Sequence, residues 1–210
     1  MSRACLPSNL QLLYNELKQD IGDRLIDFEN VSESSWFYEL CFCLCTPQSS
    51  AQHALIVQQA LESMNFLDNG QDVVSILRNP TSYIRFHNTK HKRLHKAREQ
   101  WPQLHALLLD TSTTSREKRE YLADIVQGFG MKEASHFLRN IGHKQLAILD
   151  RHLLKNLVLC GVYTTEPSVS TIKRYVEVEQ AFLAYGASIN ISIDELDLLF
   201  WCAQTGYILK

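Results

Sequence analysis

The sequence predicts an all-α protein, on three observations. Apolar residues recur at helical spacing through segment after segment. Alternating runs of the kind strands need are scarce. Turn-forming residues punctuate the chain at intervals that suit helices. Taken in order, helical patterns run through LQLLYNEL, SSWFYELCFCL, AQHALIVQQALESM and KRLHKAREQWPQLHALLL, and then REYLADIV. They continue through ASHFLRNIG, RHLLKNLVL, IKRYVEVEQAFLAYGASI and DELDLLFWCAQTG. Breaks are expected at Pro47, Asn69-Gly70, Asn79-Pro80, residues 111–114, residues 128–130, Gly142, Gly161 and Pro167. In TSTTSREKRE a short loop gives way to a helix start, with Ser/Thr caps and Glu117 in the first turn. Roughly ten helices follow, enough for one compact body of two lobes with a cleft.

Composition excludes several classes. At 210 residues and 45% hydrophobic content the chain reads as an ordinary globular domain with no repeat and no low-complexity linker. No apolar run reaches the length of a membrane span, and MSRACLPSNLQLL lacks the pattern of a secretory signal. The six cysteines, Cys5, Cys41, Cys43, Cys45, Cys160 and Cys202, contain no Cys-x-x-Cys pair. Cys41, Cys43 and Cys45 lie in an apolar run and read as reduced core residues of an intracellular protein. Neither zinc nor iron–sulfur spacing is present.

The net charge is −2, yet its distribution is uneven. Residues 85–98, RFHNTKHKRLHKAR, carry six Lys/Arg and three His with no acid. A second basic set is Lys132, Arg139, Lys144, Arg151 and Lys155, while acids gather elsewhere, as in DELD at 194–197. Such stretches suit phosphate binding or simply a solvated helix face.

The most informative stretch is GFGMKEASHFLRN, residues 128–140. With ADIVQ before it, it reads as helix, Gly-x-Gly turn, helix. Ile125, Val126, Ala134, Phe137 and Leu138 are placed to pack the two helices together. Gly128 and Gly130 permit positive φ and leave room for a DNA backbone, and the N–H groups at the following helix start attract phosphate. Lys132 stands in that first turn. A free lysine with a pKa of ~10.4 is neutral about once in two thousand molecules at pH 7, and only the neutral amine attacks carbon. A helix N-terminus and partial burial both disfavour ammonium, so the position suits a nucleophile. It equally suits a lysine that pairs with a phosphate or with Glu133. Asp150, which follows apolar Ala147, Ile148 and Leu149, stands at the N-cap of the next helix. There it serves as a plain cap, as a stabiliser of a cationic sugar, or as both.

Together, QGFGMKEASHFLRNIG and AILDRHLLKNL resemble the helix-hairpin-helix DNA glycosylase superfamily. Within it the chain is most similar to the archaeal-type 8-oxoguanine DNA glycosylase/AP lyase branch. The similarity extends to WFYELCFCLCTPQSSA, YIRFHNTKHKRLHKAR and the ending LDLLFWCAQTGYILK, most of the chain. The resemblance implies a single two-lobed helical domain, residues 1–210, with the hairpin at about 118–142 and a DNA-binding cleft between lobes.

It also implies roles. Lys132 matches the Schiff-base nucleophile and Asp150 the essential aspartate. Gly128 and Gly130 match the turn that grips the DNA backbone, with a monovalent cation on nearby carbonyls. Gln48 matches a position that lines the lesion-base pocket or fills the gap left by the flipped base, and Trp201 and Lys210 match residues of the lesion-base pocket. Arg85 and Phe86 match residues facing the orphaned cytosine and filling the stack. The terminal carboxylate of Lys210 is suited to accept the N7–H that 8-oxoguanine has and guanine lacks. His136, His143 and His152 read as surface or hairpin residues rather than metal ligands. The implied activity is excision of 8-oxoguanine followed by β-elimination, without a required cofactor or an iron–sulfur cluster. The partner is double-stranded DNA containing oxidised guanine, met by a cytoplasmic or nucleoid-associated monomer. Two other readings stay open: an oxidised-pyrimidine glycosylase/lyase of the same fold, and a non-catalytic DNA-binding module.

Overall fold

The computed structural model describes residues 5–209. Among them the chain forms eleven α-helices and two short 3-10 turns, with no strand. In chain order these are α1 (Ser8–Glu29), α2 (Trp36–Cys45), α3 (Ala51–Ser63), α4 (Phe66–Asn69), α5 (Val74–Leu77) and α6 (His87–Leu109). Then come α7 (Ser115–Ile125), α8 (Met131–Asn140), α9 (Arg151–Leu159), α10 (Ile172–Ile189) and α11 (Ile193–Thr205). Every expected break falls between α-helices or, at Asn69, on the last residue of one, and Pro80 opens a 3-10 turn. The four-residue helices α4 and α5 are too short to leave a periodic pattern and do not stand out in the sequence. No helix among the described residues is long and apolar enough to cross a membrane.

Packing divides the chain into two units, with the boundary inside α8. One contains Val31–Phe137. Its centre is α2, where every residue from Phe37 to Cys45 is buried. A helix that is apolar all round must be enclosed, and α3 and α6 pack against it. Cys41, Cys43 and Cys45 are fully buried free thiols, and burial pushes the Cys45 thiol up to about 12. Pro102 does not end α6. An interior proline costs about 3 kcal/mol, which burial of Leu94, Trp101, Leu104 and Leu108 along the same helix offsets. The helix α7 starts at a capping box: Thr114 Oγ1 accepts the Glu117 N–H, and the Glu117 carboxylate accepts the Thr114 N–H at 2.8 Å.

The other unit contains the residues up to Asn30 and those from Leu138 onward. Here α11 packs against α1, α9 and α10. Tyr14 donates from α1 to Glu195 Oε1 at 2.7 Å, and Glu195 also closes the capping box of α11 with Ser192. The segment ahead of Asp150 is buried and fastened by α10. Glu179 accepts the Ala147 N–H at 2.9 Å, and Tyr175 Oη donates to the Ala147 carbonyl at 2.6 Å.

Several charges turn out to be structural. In α7, Arg119 is fully buried and reaches Ser135 of α8 at 3.4 Å, and the buried Lys118 donates to the Leu108 carbonyl at 2.7 Å. In the basic stretch, Lys90 is buried, while Arg98 donates to the Leu67 and Asp68 carbonyls at 2.6 and 2.8 Å. In the second basic set, Arg139 is buried, lies 4.5 Å from the Phe28 ring centre and pairs with Asp197 at 3.4 Å. The acids of DELD are likewise enclosed: Asp194 is buried and accepts the Gln145 N–H.

Burial raises the Asp197 carboxyl to about 7; Arg139 opposes the rise, and Asp150 and Asp194 add to it. Between pH 4 and 7 the unfolded chain then holds fewer protons than the folded one, so this group lowers stability as pH rises and adds nothing further above 7. Asp197→Asn removes that loss. Urea unfolding at a series of pH values is expected to show the variant gaining on the parent by on the order of 2–4 kcal/mol from pH 4 to pH 7. A pH-independent difference would rule out the raised carboxyl.

Candidate active site

The hairpin of α7 and α8 turns at residues 126–130. The Phe129 N–H returns to the Val126 carbonyl at 2.9 Å, with Gly128 third in the turn at φ +104°. That is the position where a type II turn demands positive φ and therefore glycine. A second reason is steric: a Cβ on Gly128 would lie 2.7 Å from Cδ of Arg93, whose side chain rests against the turn. Arg93 Nε is buried without a hydrogen-bond partner among the described residues. Gly130 differs. It does not have positive φ, and a Cβ there would meet only Glu133 Oε2, at 3.5 Å. Nothing within the described chain requires glycine at 130. The Val126 and Gly130 carbonyls each accept one N–H, from Phe129 and Ala134, so each keeps a second lone pair. Neutral carbonyl oxygens of this kind are chemically suited to a monovalent cation.

Lys132 is the second residue of α8 and its side chain is one-third exposed. Its Nζ lies 3.0 Å from Glu133 Oε1, while Glu133 Oε2 accepts the Gly130 N–H at 3.2 Å. One carboxylate therefore caps the helix start and holds the lysine nitrogen. Asp150 is the N-cap of α9: its Oδ1 accepts the His152 and Leu153 N–H groups, each at 2.8 Å. A cap of this kind is worth about 1 kcal/mol to its helix. Both bonds fall on Oδ1, which fixes the direction of the carboxylate.

Near Asp150, the His152 ring meets Trp201 edge-on, with ring centres 5.8 Å apart. His152 Nδ1 and Trp201 Nε1 are both buried without a hydrogen-bond partner among the described residues. Buried ring nitrogens ordinarily find partners, and these two have none within the described chain. His152 is therefore not simply a surface or hairpin residue; its place two residues after the N-cap aspartate is the signal the sequence offers. Lys210 lies outside the described residues, and Arg24 fastens the chain just before it by donating to the Leu209 carbonyl at 2.6 Å.

Gln48, Arg85 and Phe86 are exposed, and Gln48 and Phe86 both have φ +58°. A left-handed backbone at a non-glycine residue costs about 1–3 kcal/mol and concentrates at functional positions. An aromatic ring that is 54% exposed at such a point contributes little to the core. The Arg85 guanidinium lies over that ring, 5.5 Å from its centre. Of the site residues, Gln48, Arg85, Phe86, Gly128, Gly130 and Lys132 belong to one unit, and Asp150 and Trp201 to the other.

An all-helical chain whose glycine-turned hairpin carries a lysine in its first turn defines a helix-hairpin-helix protein. The profile of the family Ogg-HhH, 8-oxoguanine DNA glycosylase, matches residues 21–191. A relative from Fusobacterium nucleatum, named 8-oxoguanine DNA glycosylase/AP lyase, is 35% identical over 97% of both chains. The crystal structure of the Methanocaldococcus jannaschii 8-oxoguanine glycosylase/lyase with a 15mer DNA containing 8-oxoguanine is 30% identical. It superposes with a TM-score of 0.84 over 96% of this chain and 97% of that one. The 8-oxoguanine DNA glycosylase of Thermotoga maritima gives the same TM-score at 27% identity, over 96% and 97% of the two chains. This chain belongs to the Ogg-HhH family of 8-oxoguanine DNA glycosylases.

Gly128→Ala is expected to destabilise the protein by about 1–3 kcal/mol in urea unfolding, from φ strain and the Arg93 contact together. In an Arg93→Ala background only the φ strain remains, so the cost of the same substitution should fall. An undiminished cost would show that Arg93 yields freely.

Proposed function

We propose that this protein flips 8-oxoguanine out of duplex DNA, excises it through a lysine Schiff base and nicks the strand by β-elimination. The observation that carries this reading is the first turn of α8, where one carboxylate holds Lys132 at a glycine turn. End-to-end similarity to proteins named 8-oxoguanine DNA glycosylase/AP lyase supports the substrate.

A base within a duplex is out of reach, and its extrusion costs a few kcal/mol of stacking. Phe86, exposed and backed by Arg85, is suited to fill the vacated stack and to read the orphaned cytosine. The turn at Gly128 and Gly130 takes the DNA backbone, Gly130 keeping space where a phosphate approaches. Arg93, against that turn, adds positive charge. The Lys132 amine attacks C1′ of the deoxyribose, its ammonium proton passing to a carboxylate, of which Glu133 is already at hand. Asp150 stabilises the cationic sugar as the base departs. The C1′–O4′ bond of the resulting aminal then breaks, O4′ taking a proton, and the imine so formed acidifies the neighbouring C2′ proton, whose loss breaks the C3′–O bond and expels the 3′ phosphate.

Gln48, Trp201 and Lys210 are assigned to the lesion-base pocket, the Trp201 ring as a stacking surface worth roughly 1–3 kcal/mol. The unpartnered nitrogens of His152 and Trp201 add two polar groups beside Asp150. The protein acts as a monomer. A monovalent cation on the hairpin carbonyls would balance phosphate charge there, and these steps require no other cofactor.

Borohydride trapping on a duplex with 8-oxoguanine opposite cytosine should give a covalent adduct that Lys132→Gln abolishes. An adduct only with an oxidised pyrimidine would reassign the substrate, and binding without any adduct would leave a backbone-gripping protein. Deleting Lys210 should weaken the preference for 8-oxoguanine over guanine more than it weakens cleavage of a preformed abasic site. Equal loss of both would remove it from base reading.

A further inference from the structure

Lys90 is a buried cation that the proposed chemistry does not use. It is 1% exposed, and its Nζ donates to the Cys45 carbonyl at 2.7 Å, the Pro47 carbonyl at 2.7 Å and Ser49 Oγ at 3.2 Å. An ammonium has three donors, and here all are spent on oxygens of the turn that carries Gln48. None of those acceptors is a carboxylate. Burial without a counter-ion draws the Lys90 amine down to about 8. An apolar side chain of the same length would avoid that cost, so packing does not explain a lysine here; geometry does.

The same residue also holds the second exposed tip. The Lys90 N–H donates to the Phe86 carbonyl at 2.9 Å, a bond of the first turn of α6. Ser49 Oγ, which receives the Lys90 ammonium, also accepts the Arg85 N–H at 3.0 Å. The Ser49 N–H closes the Gln48 turn on the Thr46 carbonyl at 2.9 Å. Gln48 and Phe86, both left-handed at φ +58°, are thus tied through one lysine and one serine hydroxyl.

We propose that Lys90 and Ser49 are positioning residues that lock the Gln48 turn to the Arg85–Phe86 turn, so that the two tips enter a duplex as one rigid wedge. The inference rests on the reading above, that these tips meet DNA. A polar link suits the task because hydrogen bonds fix direction as well as distance. Each tip is otherwise a strained, exposed turn free to relax by itself.

The test is a double-mutant cycle on single-turnover excision of 8-oxoguanine opposite cytosine. Ser49→Ala leaves Lys90 its two carbonyl bonds and removes the hydroxyl that the Lys90 ammonium and the Arg85 N–H share. It should slow duplex excision about tenfold in the parent but less than about twofold in a Phe86→Ala background. A lesion in single-stranded DNA, where no partner base is left behind, should show a smaller loss than the duplex. The ratio of rates opposite cytosine and opposite adenine should also shrink. Lys90→Met, checked by thermal unfolding, should reproduce the pattern if it remains folded. Equal factors in both backgrounds, or equal losses on duplex and single strand, would overturn the link. If Phe86→Ala and Gln48→Ala each left duplex excision intact, the tips themselves would lose their role, and the wedge with them, while lysine trapping would stand.

Discussion

An α-helix begins with N–H groups that no carbonyl of its own can take, and the side chains assigned to the chemistry stand at such beginnings. Asp150 satisfies two N–H groups of α9 with a single oxygen. Lys132 occupies the second position of α8, and its neighbour Glu133 reaches back to the Gly130 N–H. Phe86 is itself the N-cap of α6. An all-helical protein has few other places where backbone and side chain meet at fixed angles. It also has few other sources of concentrated positive potential for a phosphate or a developing anion. Helix starts therefore do double service, ending a helix correctly and aiming a reactive group.

Interior charge forms a second layer of organisation. Lys90, Lys118, Arg119, Arg139, Glu39, Glu179 and Asp194 are all buried. Charges of this kind add little net stability, because desolvation consumes most of what pairing returns. Their bonds instead fix orientation where apolar contact alone would permit sliding. Lys118 closes the end of α6, Arg119 ties α7 to α8, and Glu179 holds the segment leading to Asp150.

Much of this was legible in the sequence. Helical periodicity and turn residues located the long helices and most breaks, but turn residues did not mark those at residues 30–35, 64–65 and 190–192. The Thr114 capping box was readable as TSRE, and the Asp150 cap as a carboxylate between an apolar run and a helix. These are local features, decided within a few residues by hydrogen bonding and propensity. Quoted as motifs, the hairpin and the DRHLL segment also identified the family. What periodicity could not say is which charges face water. RFHNTKHKRLHKAR reads as a solvated basic face, yet Lys90 and Arg98 are consumed internally while Arg85 and Lys92 remain outside.

The sequence by itself determined the longer helices, most of the breaks between them, the glycine turn at 128 and the residues available for chemistry. All of these follow from short-range sterics and backbone bonding. Tertiary structure decided the left-handed turns at Gln48 and Phe86, the burial of Lys90 and the contact of Arg93 with Gly128. It also decided the unsatisfied pair at His152 and Trp201. Those features join residues tens of positions apart, and no local propensity encodes them. Only the packing of whole helices brings a lysine of α6 to the carbonyls at the end of α2, and only that enclosure makes its charge hold the turns in place.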